Sequence, residues 1–411
     1  MTQSPPTPIV LDPTGSDSHK EDAELRAHGS AVLVDVLGVP ATSITDPVLL
    51  KSLLRGREVS KDARAHWPDF QDAIQTWPLA LWIAVENMFT AYGADHTRLR
   101  RMIAPAFSHR RITALESHIE GVVSGLLDTI EGLDDGRPVD LREHLAYPLP
   151  IQVIGHLLGV PAEQRTAFRT VVDGVFDTKL NQAEALANTQ ALYAALDDLI
   201  ETKRATPGDD MTSLLISTRD EEGDGGRLSA TELRDTLLLM ISAGYETTVN
   251  VIDQAITMIL SHPDQLADVR SGKLTWSDVV EETLRVEPAV KHLPMRFAVE
   301  DIELPDGRII AKGEAILASY SAANRNPDWH GDTAGEFDAG RPSKDHLAFG
   351  HGVHFCLGAP LARLEVVTAL RSLFARFPAI ELAVPADQLK PGGSLISNGH
   401  SELPVLLGRS N

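Results

Sequence analysis

The chain has 411 residues, 43% of them hydrophobic and 23% charged, a formal net charge of −21 and a single cysteine. Such a composition suits a globular protein with a large core and excludes a disordered or fibrous chain. The acidic balance speaks against nucleic-acid or anionic-membrane binding, and one cysteine cannot close an internal disulfide.

Residues 1–22 begin with MTQSPPTPIVLDPTGSDSHK, rich in Pro, Ser, Thr and Asp, and are expected to form a flexible leader. The leader has no basic segment followed by an apolar core and a cleavage site. No run in the chain approaches the roughly eighteen apolar residues that span a bilayer, so a cytoplasmic protein without a membrane anchor is expected. From Ala23 to Leu274 the apolar spacing of three and four predicts mainly helix. Breaks are expected at Gly136-Arg137-Pro138, Thr206-Pro207-Gly208 and Glu222-Gly223-Asp224-Gly225-Gly226.

The clearest helix starts at Ser229, where Ser229-Ala230-Thr231-Glu232 has capping-box spacing, and runs to Leu260 before Ser261-His262-Pro263. At 1.5 Å per residue it would span roughly 46 Å. Being apolar on nearly all sides from Leu237 to Ile241, it must cross the middle of the protein. A second helix fits Ser277 to Val286, stopped by Pro288. Residues 298–320 read as strands around a Pro305-Asp306-Gly307 turn, with Ile309-Ile310 and Ala315-Ile316-Leu317 as β-rich runs. A last helix fits Pro360 to Phe374. The fold class is therefore mainly α with a minor sheet.

Inside the long helix, Ala243-Gly244-Tyr245-Glu246-Thr247-Thr248 is costly for helix propensity, which suggests a distortion or widened groove where something must fit. The plain alternative is that both threonines bond back to carbonyls one turn earlier. Ala243 and Thr247, four apart, share a face. Cys356 stands just before the last helix, so free backbone N–H groups and the positive helix end favour its thiolate. Gly350 and Gly352 allow turns closed to other residues, and Gly358 removes a side chain where the helix start must pass a flat ligand. A zinc site from His351, His354 and Cys356 is the competing reading; it has no evident fourth ligand and would be crowded.

Phe349, Gly352, Cys356 and Gly358 match the pattern Phe-x-x-Gly-x-x-x-Cys-x-Gly, which resembles the haem-binding loop of cytochromes P450. Ala243, Gly244, Glu246 and Thr247 match that family's Ala/Gly-Gly-x-acid-Thr motif. The resemblance covers about residues 25–408 and is nearest to actinobacterial members, the family numbered 154. It implies the cytochrome P450 fold as a single domain over 23–411, with haem b between the long helix and the thiolate loop. Cys356 would be the iron ligand, Thr247 would hydrogen-bond the oxygen being activated, and Glu246 would relay protons through water. His96 and Arg100, Arg296 after Pro294, and His354 would hold the haem propionates. Glu282 and Arg285 would join Arg341 in a structural network behind the loop. Gly93-Ala94-Asp95, where many relatives have Asp-Pro-Pro, departs from the pattern and weakens the reading of that local loop.

The implied activity is insertion of one atom of dioxygen into a bulky apolar substrate, steroid- or polyketide-like, by a monomer using electrons from a ferredoxin and its reductase. Arg98, Arg100, Arg101, Arg110 and Arg111 form a basic segment; the arginines not spent on a propionate would dock an acidic ferredoxin. Trp67, Trp77 and Trp82, with Phe70, Met88 and Phe89, are either core or an apolar lid over the substrate. Rival readings are a haem-thiolate enzyme of cyclisation, isomerisation or peroxide-driven oxidation, and a haem-based ligand sensor without turnover.

Overall fold

A computed structural model describes residues 7–218 and 226–408. The Glu222–Gly226 punctuation therefore lies outside the described residues except for its last glycine.

The helix Ala230–Ser261 organises the molecule. Ser229 caps it in both senses: its hydroxyl accepts from the Glu232 N–H, and Glu232 accepts from the Ser229 N–H. It stays α-helical through Gly244. What Gly244 allows is close packing: a Cβ there would stand 3.0 Å from Ile154 Cδ1 on the helix Pro148–Leu158. The helices Gln182–Ala205, Trp276–Val286 and Ala359–Arg376 also pack on this central helix. Trp276–Val286 carries its own capping box on Thr275.

Beside the helices lies a six-stranded sheet, in the order Ile9–Val10, Ala31–Val36, Val39–Ile44, Ala315–Ser319, His292–Ala298, Val59–Ser60. Three-stranded and two-stranded sheets, the latter Ile302–Glu303 with Ile309–Ile310, complete the β structure.

Three expectations need correction. The helical reading of residues 23–274 overlooks the hairpin Ala31–Ile44, which turns at Leu37 and Gly38, both with positive φ. Its β-branched residues and alternating burial are the signal. The flexible-leader reading of residues 1–22 also fails beyond residue 8: Ile9–Val10 pairs with Ala31–Val36, and Ser18–Ala27 is a helix with Asp22 and Leu25 buried. Asp22 accepts from Ser321 Oγ at 2.9 Å and faces Arg325 at 3.4 Å, so buried charge fixes this segment to the body. The strand His292–Ala298 starts earlier than expected. Its pairing with Ala315–Ser319 shifts register between Leu293 and Arg296, around Pro294, which has no N–H to give.

Candidate active site

A cavity with about 1730 Å³ of empty space, part of it open to solvent, lies between the central helix and the loop ending at Cys356. The loop is closed by Gly350 N–H to Leu347 O at 2.8 Å and Cys356 N–H to Phe349 O at 3.0 Å. Gly350 and Gly352 both have φ of +72°, and a Cβ on Gly352 would strike Leu54 O at 2.4 Å. The left-handed backbone favours glycine at both, and at Gly352 the contact leaves no room for a side chain.

Cys356 is exposed, and what it is exposed to is the cavity. Gly358 and Ala359 N–H groups bond to its sulfur, as the helix-start reading expects. They do not prevail: burial outweighs them and pushes the thiol pKa up, so the protein alone favours the thiol. A metal cation at the sulfur would add to the pull of Arg100 and Arg363 and reverse that balance. Among the described residues no three His, Cys, Asp or Glu side chains gather into a metal-holding group.

On the facing helix, Ala243 is exposed and Gly244 and Thr247 half-exposed within an otherwise buried stretch, and all three line the cavity. Thr247 Oγ1 donates to Ala243 O at 2.7 Å, so the back-bond of the plain alternative is present. It leaves the hydroxyl's lone pairs to accept from the cavity side. Glu246 points elsewhere. Its carboxylate is buried, receives Asn250 Nδ2 at 3.0 Å and stands 3.7 Å from Arg142 Nη2. Burial raises its pKa to about 7 against the pull of Arg142. Arg142 is in turn held by Asp253 at 2.6 Å, and Asp253 by His400 at 2.8 Å.

His96 and His354 lie with ring centroids 4.2 Å apart, His96 buried and both kept neutral chiefly by burial among cations. Arg100 donates to Phe355 O at 2.7 Å, tying the helix Gly93–Ile103 to the loop despite its unusual Gly93-Ala94-Asp95 start. His96 Nε2 and Arg296 Nη1 are buried without a protein partner. Orphaned donors of this kind call for an acceptor from a ligand. Phe349 lines the cavity under the guanidinium of Arg363, 4.6 Å from its ring centre. Together the donors, the open thiol and the bared helix face fit an iron porphyrin with two carboxylates.

The aromatic stretch divides. Trp67, Phe70 and Trp77 are core: Trp67 stacks on Phe297 at 5.1 Å and Trp77 Nε1 donates to Val36 O. Trp82, Met88 and Phe89 line the cavity, where Trp82 meets Phe176 edge to face at 5.3 Å. Their loop is pinned to the central helix by Glu86 N–H to Asp235 Oδ2 at 2.6 Å and Asn87 Nδ2 to Asp235 O at 2.8 Å.

Glu365 is a site residue that sequence reasoning missed. It lines the cavity, its Oε2 is buried without a partner, and burial pushes its pKa well up. The available signal was an acid on the apolar face of a helix, one turn from Leu361 and Ala369, both buried.

A family model described as cytochrome P450 matches residues 157–272 and 276–397. The chain belongs to the cytochrome P450 family; it is a monooxygenase, and its family implies a haem-iron cofactor, dioxygen, an organic substrate and redox partners. It is 43% identical over 403 residues to 2-hydroxy-5-methyl-1-naphthoate 7-hydroxylase of Streptomyces carzinostaticus, covering 97% of each chain. It is 36% identical over 397 residues to 6-deoxyerythronolide B hydroxylase of Saccharopolyspora erythraea, covering 95% of this chain and 96% of that one. The solved structure of CYP154A1 from Streptomyces coelicolor A3(2) matches with 67% identity and a TM-score of 0.93, over 97% of this chain and 100% of the other. The resemblance to the family numbered 154 holds. No helix among the described residues is long and apolar enough to cross a membrane.

Proposed function

We propose that the chain from about residue 9 onward acts as one catalytic domain, a cytoplasmic monomer that holds one haem b and hydroxylates a bulky apolar substrate of steroid or polyketide type. The observation that carries this reading is a single cavity joining Cys356, the Ala243–Thr247 face and the aromatic wall of Trp82, Phe89 and Phe176. The relatives named above are hydroxylases of a naphthoate and of 6-deoxyerythronolide B, which supports the substrate class.

The bound haem supplies dioxygen activation and oxidation; the chain supplies placement, dryness and protons. Cys356 would ligate the iron, and His96, Arg100, Arg296 and His354 would hold the propionates. Ala243 would leave room on the helix face that lines the cavity, and Gly244 lets the helix of Ile154 approach. Thr247 Oγ1, which gives its own proton to Ala243 O, accepts from the cavity side and would position a water there, to which Glu246 would supply protons after turning from Asn250 and Arg142. Trp82, Met88 and Phe89 exclude water and orient the substrate.

Spin-state titration of the holoprotein with steroid-like and polyketide-like compounds tests this reading. Trp82→Ala is expected to weaken polycyclic ligands about tenfold, roughly 1.4 kcal/mol of lost apolar contact, without altering the haem spectrum. Binding confined to small hydrophilic compounds, or unchanged affinities in the variant, would refute it.

A ferredoxin and its reductase are the proposed electron source. Arg98 is occupied by Asp95 and Glu232, and Arg100 by Phe355. Arg110 is exposed and Arg111 half-exposed on His109–Ala114, a helix packed against Ala359–Arg376 on the thiolate side. Reversing both to Glu is expected to slow reduction by an acidic ferredoxin roughly tenfold at low salt, with the gap closing as salt rises. Equal rates at low salt would remove this docking face.

A further inference from the structure

Lys61 follows the two-residue strand Val59–Ser60, whose pairing with His292–Ala298 sets Ser60 opposite Phe297. That register brings the lysine beside Arg296, with only 3% of its surface exposed. The ammonium lies 3.7 Å from the centre of the Phe89 ring and 3.4 Å from the carbonyl oxygens of Pro294 and Met295. Those are long contacts for a charged donor, which prefers an anion at under about 3 Å. Its electrostatic neighbours are cationic or neutral: Arg296 bears on it, and it bears on His354.

A buried ammonium beside a guanidinium and without an anion is strongly unfavourable, and burial with Arg296 pushes its proton affinity well down. Arg296 Nη1 in the same neighbourhood is orphaned. Two buried cations thus point to an acceptor that the protein does not provide. The ammonium lies over the ring of Phe89, a residue that also lines the cavity.

We propose that Lys61 is a cofactor-binding residue whose ammonium pairs with a haem propionate beside Arg296. This rests on the haem site described above and adds a cation that none of the sequence motifs contains. The carboxylate would supply the anion that Lys61 and Arg296 lack, and the lysine would secure the cofactor from the strand that carries Val59–Ser60.

Haem transfer from holoprotein to excess apomyoglobin provides the test. Lys61→Met, and the milder Lys61→Gln, are expected to lose haem about tenfold faster than the parent, while Lys61→Arg retains it nearly as well. Reconstitution with haem dimethyl ester, which has no propionate charge, is expected to abolish the difference between parent and Lys61→Met. Equal haem loss in parent and variants would overturn the proposal, as would a difference that survives esterification. It would also be overturned if haem retention were unchanged but a naphthoate-type carboxylate bound more weakly to Lys61→Gln, since the lysine would then serve an acidic substrate. If Lys61→Met fails to fold, Lys61→Gln and the esterified parent still decide the matter. A parent that holds no haem would refute the haem site itself, and this proposal with it.

Discussion

Replacing Arg285 by alanine is expected to cost about 3–5 kcal/mol of folding stability, measured by denaturant unfolding of the holoprotein. Arg285 is fully buried and forks onto Glu282, with Nε and Nη2 each 2.7 Å from a carboxylate oxygen. Its remaining donors reach Ala334 O at 2.6 Å and Glu336 O at 2.8 Å. Glu282 also receives the Asp338 N–H at 2.9 Å and Arg341 Nε at 3.3 Å. Alanine would strand the Glu282 carboxylate with Arg341 as its remaining cation and leave the buried Ala334 carbonyl without this donor. The network ties the helix Trp276–Val286 to residues 334–341, just ahead of the thiolate loop, so loss of haem is expected to accompany loss of stability. A cost under about 1 kcal/mol would mean that solvent or Arg341 replaces the fork.

Replacing Glu246 by glutamine is expected to reduce product formation about 100-fold or more while making the fold more stable above neutral pH. The two effects share a cause. Burial raises the Glu246 pKa from 4.5 to about 7, so the folded chain binds this proton more tightly than the unfolded chain does. Stability from this group is intact below pH 4.5 and is lost as pH rises towards about 7, where the buried carboxylate is finally forced to ionise. Glutamine carries no such cost, and Arg142 keeps Asp253, Asn250 and Tyr147 as partners. Proton supply, however, needs a group that exchanges near neutral pH, and amides do not. The parent's coupling of electrons to product should therefore follow a group with pKa near 7, absent in Glu246→Gln. Thr247→Ala should preserve haem binding and divert electrons to peroxide. Parent-like coupling in both variants would remove the acid–hydroxyl pair from proton delivery.

Much of this site is legible in the sequence because it is encoded by local spacing. The central helix declares itself through Ser229, Glu232 and a 3.6-residue apolar period, and the thiolate loop through glycines that only one backbone shape requires. The direction of Glu246 was less open to reading by motif: one residue from Thr247 is about 100° around a helix, which turns its carboxylate away from the face that Ala243 and Thr247 share. Lys61, Glu365 and the Arg142–Asp253–His400 chain were not legible at all. Each is a polar group made significant by burial against distant segments, and linear spacing does not report burial. The same limit hid the strand His292–Ala298, where Pro294 reads as a strand breaker until a register shift accommodates it.

The central claim is that the sulfur of Cys356 binds the haem iron. The most direct measurement is the absorption spectrum of the reduced, carbon-monoxide-bound holoprotein, taken beside that of Cys356→Ala. Thiolate ligation predicts a main band displaced to the red of a histidine-ligated haem in the parent and abolished in the variant, since no second cysteine exists to replace it. A histidine-type band in the parent, or a red-displaced band that survives in Cys356→Ala, would contradict the claim.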